Sequence, residues 1–356
     1  MKLKKAKIDL VFLEIISLLT FFSLLAIYSF TMIEGPVYFQ KHLFRIILGI
    51  IALFIGILIP YEFWSGKRAK ILYFLALVLL SLTFLFSNTI RQFSLLFLKF
   101  QPQEFCKIFL LFFVADFLSK MKEEKAQIKG KEFNKFRIEY FLIILVILLV
   151  LFQPAIGTAV ILFASVLVMF IFAGVKPSVI FSYVFVITFL IFGVINVFPY
   201  AKKRFKKFKE GKTYQQYHSQ LAIGSGGLFG KGIGCGRQKF KFLPKIHTDF
   251  IFSGMAEELG FVPMLFLWLG YFILLWRGLT IAQNAGNNFG KLFGVGFTFM
   301  LSFYISVHIF SAFALIPVTG QPLPFISYGG SALISNLFAS GVMLNISREK
   351  KFSYEF

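Results

Sequence analysis

The sequence predicts an all-α polytopic membrane protein with about ten transmembrane helices and a large extracytoplasmic loop between helices 7 and 8. The 356 residues are 58% hydrophobic and only 15% charged, and their mean hydropathy is +0.80. These values lie outside the range of soluble domains. No internal repeat or low-complexity linker divides the chain, so we treat residues 1–356 as a single transmembrane domain.

Apolar segments long enough to cross a bilayer recur along the chain. A spanning helix needs about 20 mostly apolar residues, and ten candidate segments lie at roughly 8–32, 42–60, 71–88, 104–119, 139–153, 157–174, 177–198, 251–277, 291–317 and 331–346. The fifth and sixth are short and are separated only by Gln153 and Pro154. One span over both is therefore an alternative count.

Lysine and arginine residues near the segment ends predict the orientation. With ten segments, one side receives residues 1–7, the 61–70 turn, the 120–138 loop and the C-terminal tail, all of which are basic. We place that side, with both termini, in the cytoplasm. No cleavable signal peptide is expected, because the first apolar run is too long and lacks a small-residue cleavage site.

The segment 199–250 then lies on the outer side, and it is strongly basic. It contains twelve Lys or Arg residues against two acids, Glu210 and Asp249. A basic outer loop runs against the positive-inside trend and indicates an anionic ligand. Within it, Phe205 and Phe208 stand among lysines as in a helix lying in the lipid headgroup plane. The alternative is a solvated charge run attracted to anionic lipid.

A glycine-rich stretch follows, with seven glycines between residues 224 and 236. Glycine permits positive φ and lets backbone N–H groups approach a ligand. The spacing matches neither a Walker loop nor the dinucleotide-binding fingerprint, and many glycine-rich loops only turn tightly. Because Lys231, Arg237, Lys239 and Lys241 lie among or beside the glycines, phosphate binding is the favoured interpretation.

Ionisable residues within or at the rim of the bilayer are costly unless paired or hydrated, and are functional candidates by default. Glu104 and Lys107 stand three apart at the predicted outer start of the fourth helix, on one face. They form either an ion pair that closes a helix seam or contacts to substrate. Arg45 and Arg91 could direct guanidinium groups at phosphate oxygens, although Arg45 could instead snorkel to the interface.

An aspartate at the membrane edge follows the basic loop. Asp249 comes directly after His247 and Thr248, just before the eighth apolar segment. An acid in that place, beneath a cationic loop, indicates proton chemistry on an anionic, lipid-linked substrate. Glu257 and Glu258 lie about two turns further on, where at least one of them must face protein or water.

Three residue types carry little functional information. The spacing of Cys106 and Cys235 does not establish a disulfide, and two unpaired thiols are the equal alternative. The four histidines have no cysteine or carboxylate at ligand spacing, which argues against a zinc site. The 52 phenylalanines suit lipid-facing helix surfaces, which accept any large apolar side chain.

Three ordered motifs resemble the SEDS family of shape, elongation, division and sporulation proteins, represented by RodA, FtsW and SpoVE. They read AIGSGGLFGKGIG, LPKIHTDFIFSGMAEELG and TGQPLPFISYGGS, the last from Thr319 to Ser331. Further matches are Gln101-Pro102 with Glu104 and Lys107, Gln153-Pro154 with Gly157-Thr158, and IYS at 27–29. The resemblance spans essentially the whole chain. It leans toward the FtsW branch, with RodA as the alternative.

This resemblance implies an inverting peptidoglycan glycosyltransferase that polymerises lipid II at the outer face of the bacterial cytoplasmic membrane, with Asp249 as the catalytic base. Implied partners are a class B penicillin-binding protein (a transpeptidase), other divisome or elongasome proteins and membrane lipids, with no nucleic acid. The candidate substrate-binding residues are Arg45, Arg91, Glu104, Lys107, Gln220, Ser225, Lys231, Arg237, Lys239, His247, Thr248, Glu257 and Ser327.

The chain also departs from the family pattern. Ala155 stands where the family usually has aspartate, and Gln103 stands where serine is usual. If a divalent cation such as Mg²⁺ or Mn²⁺ acts here, Glu104 is its candidate ligand.

Two other functions are alternatives to polymerisation. A flippase moving lipid II across the bilayer would also use intramembrane charges and the broken segment 317–330. A non-catalytic scaffold for the penicillin-binding protein would leave Asp249 unexplained. The candidate polar groups cluster on the predicted outer side, which favours polymerisation.

Overall fold

The computed structural model describes residues 7–32, 35–86, 93–95, 98–127, 137–153, 155–211, 213–240 and 242–349. Within these residues the helices are α1 (Leu10–Thr31), α2 (Pro36–Leu58), α3 (Lys67–Phe86), α4 (Pro102–Gln127), α5 (Arg137–Phe152), α6 (Ile156–Phe172), α7 (Pro177–Val197), α8 (Pro199–Lys209), α9 (Tyr214–Ser225), α10 (Ile251–Leu259), α11 (Phe261–Gln283), α12 (Asn288–Ala312) and α13 (Gly330–Ser347). A 3₁₀ turn, Tyr61–Trp64, joins α2 to α3. Two three-residue strands, β1 (Phe93–Leu95) and β2 (Leu98–Phe100), pair antiparallel before α4.

The polytopic helical fold is confirmed. Six helices in the described chain are long and apolar enough to cross a membrane: α1, α2, α7, α11, α12 and α13. Two further apolar helices, α5 and α6, are shorter. Each of the ten predicted segments overlaps a helix. The count of ten spans, and the side of the membrane on which residues 199–250 lie, stay predictions.

The helices differ in how much of their surface the protein covers. In the most apolar 18-residue stretch of α12, 67% of the residues are buried, whereas in that of α7 only 17% are buried. The exposed face of α7 carries phenylalanines at four positions: Phe181, Phe185, Phe189 and Phe192. Large apolar side chains on such a face suit contact with lipid. Conversely, α13 packs so closely on α2 that a Cβ at Gly56 or Gly341 would collide with backbone atoms of the other helix.

The predicted eighth segment, 251–277, is two helices rather than one. Gly260 separates α10 from α11 with φ +80, a conformation that favours glycine. A Cβ at this position would also collide with the backbone of residues 229–230. The helix is therefore interrupted where it crosses, at close range, the loop that follows α9.

That loop, residues 226–240, is the glycine-rich loop, and it caps both sides of the break. The N–H groups of Phe261 and Val262 donate to carbonyls of residues 227–228 at 2.8 and 3.0 Å. In return, the N–H groups of residues 231–232 donate to carbonyls at the end of α10 at 3.1 and 3.0 Å. Helix ends leave such groups unpaired, so the loop satisfies the backbone where the helix is interrupted.

The segment 199–250 also contains two helices of its own. The basic run forms α8, as predicted, and α9 begins with a capping box between Thr213 and Gln216. Side chains of α9 fasten it to the end of α12, because Gln216, Ser219 and Gln220 donate to backbone carbonyls of residues 312–316 at 2.7–2.9 Å. The candidate site is built between these elements.

Candidate functional site

Asp249 lies in a tight turn, residues 243–250, directly before α10. Lys245 has φ +59, and its carbonyl accepts hydrogen bonds from the N–H groups of Thr248 and Asp249 at 3.1 and 3.0 Å. The Asp249 side chain is 20% exposed. The carboxylate is therefore held by a rigid turn and is still reachable from outside the protein.

A second segment, residues 317–330 between α12 and α13, holds this turn in place. The Ser327 hydroxyl donates to the Thr248 carbonyl at 2.8 Å, and the Tyr328 N–H donates to the His247 carbonyl at 2.9 Å. Ser327 was predicted to bind substrate. It is buried and bonded to the backbone on both sides, since it also accepts from the Leu323 N–H at 2.9 Å, so its observed role is to position the turn.

The surroundings of the Asp249 carboxylate are sparse. The Lys245 ammonium lies 3.9 Å from Oδ2, on a side chain that is 68% exposed, so this ion pair is weak. On the other side, Gly320 has φ +68, and a Cβ built there would be 3.7 Å from Oδ2. A partly hydrated carboxylate with one loose cation beside it can accept a proton from a hydroxyl group.

His247 and Arg45 are joined through aromatic rings. The His247 ring lies 5.8 Å from the ring of Tyr38 in α2 and 5.5 Å from that of Tyr328. The Arg45 guanidinium stacks over Tyr328, 4.4 Å from its centroid. Arg45 is buried and therefore does not snorkel. Thr248 is half-buried, and its hydroxyl donates to the Lys245 carbonyl at 3.2 Å.

Behind Gly320 lies a buried polar group that the sequence analysis missed. His308 of α12 contacts the Gln321 carbonyl through Nδ1 at 2.8 Å. The Thr158 hydroxyl of α6 donates to the Gln321 side-chain oxygen at 3.3 Å. An ionisable residue within an apolar helix is a signal in its own right, so His308 could have been singled out from the sequence.

Glu104 and Lys107 form the ion pair that their spacing allows. Lys107 Nζ lies 2.6 Å from Glu104 Oε2, and the two side chains are only 1% and 6% exposed. The ammonium also stands over the ring of Tyr304 in α12, 4.5 Å from its centroid.

The pair does not fit a divalent cation well. The Glu104 carboxylate is already neutralised by Lys107, and the Ala155 side chain supplies no oxygen. Among the described residues, no group of three or more histidine, cysteine or acidic side chains is close enough together to hold a metal ion. A cation therefore stays a prediction, and no step is assigned to it.

The glycine-rich loop does bind anions, but they are carboxylates of this protein. Glu257 accepts hydrogen bonds from Lys231 Nζ at 2.7 Å and from the N–H groups of Arg237 and Gln238 at 2.9 and 3.0 Å. Lys231 is also held by the Ser225 hydroxyl at 2.8 Å. Each of Lys231, Ser225 and Glu257 therefore has a partner within the fold, and their contact with substrate stays a prediction.

Glu258 is enclosed in the same way. It accepts from Lys239 Nζ at 2.8 Å and from the N–H groups of Gly234 and Gly236 at 3.1 and 3.3 Å. The Ser29 hydroxyl in α1 donates to the same carboxylate at 2.6–2.7 Å. The Lys239 and Glu258 side chains are 2% and 4% exposed, so Lys239 too is directed inward.

The remaining predicted residues divide into three groups. Gln220 binds the Phe313 carbonyl at 2.7 Å, which is a structural contact. Arg237 is exposed, and its role in substrate binding stays a prediction. Arg91 and Lys241 lie outside the described residues.

Both cysteines are free, with Cys106 buried and Cys235 exposed, which confirms unpaired thiols.

Comparison with known proteins bears on the whole chain. The family model for FtsW, RodA and SpoVE, described as a cell cycle protein, matches residues 5–352. "Probable peptidoglycan glycosyltransferase FtsW" of Trichlorobacter lovleyi is 32% identical over 98% of this chain and 95% of its own length. Stage V sporulation protein E of Bacillus subtilis is 33% identical over 99% of this chain and 100% of its own.

Solved structures share the fold. One chain, from work described as "Structural coordination of polymerization and crosslinking by a peptidoglycan synthase complex", has a TM-score of 0.75 at 27% identity and covers 96% of this chain and 98% of its own. Rod shape determining protein RodA of Thermus thermophilus has a TM-score of 0.70 at 27% identity, covering 97% and 98%. This protein therefore belongs to the FtsW, RodA and SpoVE family of multi-pass membrane proteins.

Proposed function

We propose that this protein is a peptidoglycan glycosyltransferase that polymerises lipid II at the outer face of the bacterial cytoplasmic membrane, with Asp249 as the general base. The observation that carries the proposal is the partly exposed Asp249 carboxylate, held in a rigid turn by the 317–330 segment. The names of the relatives support the reaction class.

The reaction requires one base and a stabilised leaving group. The 4-hydroxyl of a GlcNAc attacks the anomeric carbon of a MurNAc, and Asp249 takes the hydroxyl proton as the new C–O bond forms. The bond from that carbon to the lipid pyrophosphate breaks, and the pyrophosphate leaves with the electron pair. An oxocarbenium-like transition state and inversion are expected, and nearby cations such as Lys245 offset the developing negative charge.

A class B penicillin-binding protein is the proposed partner. A similar chain occurs in a peptidoglycan synthase complex that coordinates polymerization and crosslinking, and crosslinking requires a transpeptidase. Other divisome or elongasome proteins are proposed as further partners. From the distribution of Lys and Arg near the segment ends, both termini are proposed to be cytoplasmic.

A lipid II flippase is the second candidate, because Arg45 of α2 and the pair Glu104 and Lys107 of α4 are charged residues buried among the helices. The two functions separate in detergent. There is no second leaflet there, so a flippase forms no product, whereas a polymerase with its partner converts lipid II into glycan strands.

The test is therefore strand formation from lipid II by purified protein and partner in detergent, resolved by gel electrophoresis. We expect strands from the wild type and a loss of about 10²–10⁴ in rate for Asp249→Ala. Glu62→Gln is the control, since it removes an exposed acid that belongs neither to the Asp249 turn nor to the basic segment. If Asp249→Ala kept about half of the wild-type rate or more, the assignment of the base would be wrong.

A further inference from the structure

We propose that a cavity between α8, α9 and residues 317–318 is a binding site for the phosphate group of a membrane lipid. The cavity has a volume of about 600 Å³. Three cations of α8 line it, Lys203, Arg204 and Lys207, together with Thr213 and Gln216 at the start of α9. None of these residues belongs to the Asp249 turn or to the glycine-rich loop.

The charge of the cavity is unbalanced. In the described part of the chain, no carboxylate lies within ion-pairing distance of Lys203 or Lys207. The one acid that lines the cavity, Glu210, is 3.6 Å from Lys206, which does not line it. This differs from the glycine-rich loop, where Lys231 and Lys239 are already neutralised. A phosphate group in the cavity would supply the missing charge.

The floor of the cavity is preformed. Gln216 is fully buried, accepts from Thr213 within the capping box, and donates to the Ile316 carbonyl at 2.9 Å. The start of α9 is thereby fixed against the segment that supplies Pro317 and Val318 to the wall. A floor that is already ordered lowers the free-energy cost of ordering the site when a ligand binds.

The surroundings favour a lipid phosphate over a soluble anion. In α8, Phe205 and Phe208 lie among the lysines, the pattern of a helix in the plane of the headgroups. The cavity would therefore lie at the same depth in the membrane as the lipid headgroups.

The same wall leads to the candidate base. Three residues beyond Pro317, Gly320 is the neighbour of the Asp249 carboxylate. The phosphate could come from a phospholipid or from the pyrophosphate of a lipid-linked sugar. Only the second source rests on the proposed function, while binding itself does not.

Binding is measured on the full-length protein purified in dodecyl maltoside, which contains no phosphate. The probes are phosphatidylglycerol, polyprenyl pyrophosphate and, as a neutral lipid, diacylglycerol, each counted as retained lipid by native mass spectrometry. The test variant is Lys203→Gln with Lys207→Gln. The control is Lys202→Gln with Lys209→Gln, which removes two exposed charges from the same helix outside the cavity.

We expect the test variant to bind one or both phosphate lipids about tenfold more weakly or worse, and the control to stay near wild type. Lys203→Arg with Lys207→Arg should retain binding. The lipid that is lost identifies the source. Equal losses in test and control variants would show only general attraction to a basic helix and would overturn the proposal, as would unchanged binding in the test variant. Because the readout is lipid retention, a failed polymerisation assay does not affect it.

Discussion

Asp249 owes its position to residues far away in the sequence. The turn that carries it is short, and its carbonyls are bound by Ser327 and Tyr328 from the segment before α13. Gly320 of the same segment lies against the carboxylate. Small changes in this segment should therefore alter the reaction more than the stability.

Gly320→Ala tests this at one residue. Its φ of +68 is unfavourable for alanine by about 1–2 kcal/mol, and relief of the strain would move the backbone beside Asp249. We expect polymerisation to fall about tenfold or more, since small displacements of reacting groups are costly. Gly174→Ala is the matched control, because Gly174 has φ +66 with open space around it. Equal activities of the two variants would contradict the prediction.

The buried pair of Glu104 and Lys107 calls for a double-mutant cycle. Each single variant, Glu104→Gln or Lys107→Met, leaves a buried charge unpaired, which costs about 3–5 kcal/mol. If the pair is structural, the double variant should regain folded yield and polymerisation. If either group contacts substrate, all three variants should be inactive although the double variant folds. The measurements are thermal unfolding in detergent and strand formation.

At the scale of elements, the glycine-rich loop holds α10 through hydrogen bonds. Two adjacent glutamates of that helix accept hydrogen bonds from two lysine side chains and four backbone N–H groups of the loop. Both carboxylates are nearly fully buried, so their charges depend on these contacts. The same loop also caps the helix ends on either side of Gly260.

Lys239→Met and Arg237→Gln should therefore behave differently. Lys239→Met leaves Glu258 without its cation, and we expect it to lower the unfolding temperature in detergent and the folded yield. Arg237 is exposed, so Arg237→Gln should leave the unfolding temperature unchanged. If Arg237 binds pyrophosphate, the variant should need a higher lipid II concentration to reach half of its maximal rate. A stable Lys239→Met variant with impaired lipid II use would support the substrate-binding prediction for Lys239.

At the scale of the whole molecule, the orientation in the membrane decides whether Asp249 can meet an outer substrate. We predict that residues 199–250 are outside and residues 120–138 inside. In a background lacking Cys106 and Cys235, Lys209→Cys should react with an impermeant thiol reagent in intact cells, whereas Lys122→Cys should not. Both positions are exposed. The reverse pattern of labelling would place the Asp249 turn in the cytoplasm and exclude the proposed function.

Much of the fold could be read from local sequence. All ten predicted segments overlap helices, the basic run is helical over 201–209, and the pair Glu104 and Lys107 forms as its spacing allowed. The break at Gly260 was not predicted, because an apolar run shows no sign of it. Only the close crossing with residues 229–230 requires it.

The sequence by itself determined the class of the protein, the approximate helices and the residue that we propose as the base. The length of an apolar segment and the charges at its ends are properties of the local sequence, so they indicate helices without any knowledge of tertiary contacts. Only the tertiary structure decided which anion the glycine-rich loop binds. Lysines and backbone N–H groups attract any carboxylate or phosphate, and the choice of Glu257 and Glu258 depended on bringing α10 and α1 against the loop. Among the described residues, Lys203 and Lys207 of α8 have no carboxylate within ion-pairing distance, and both line an open cavity.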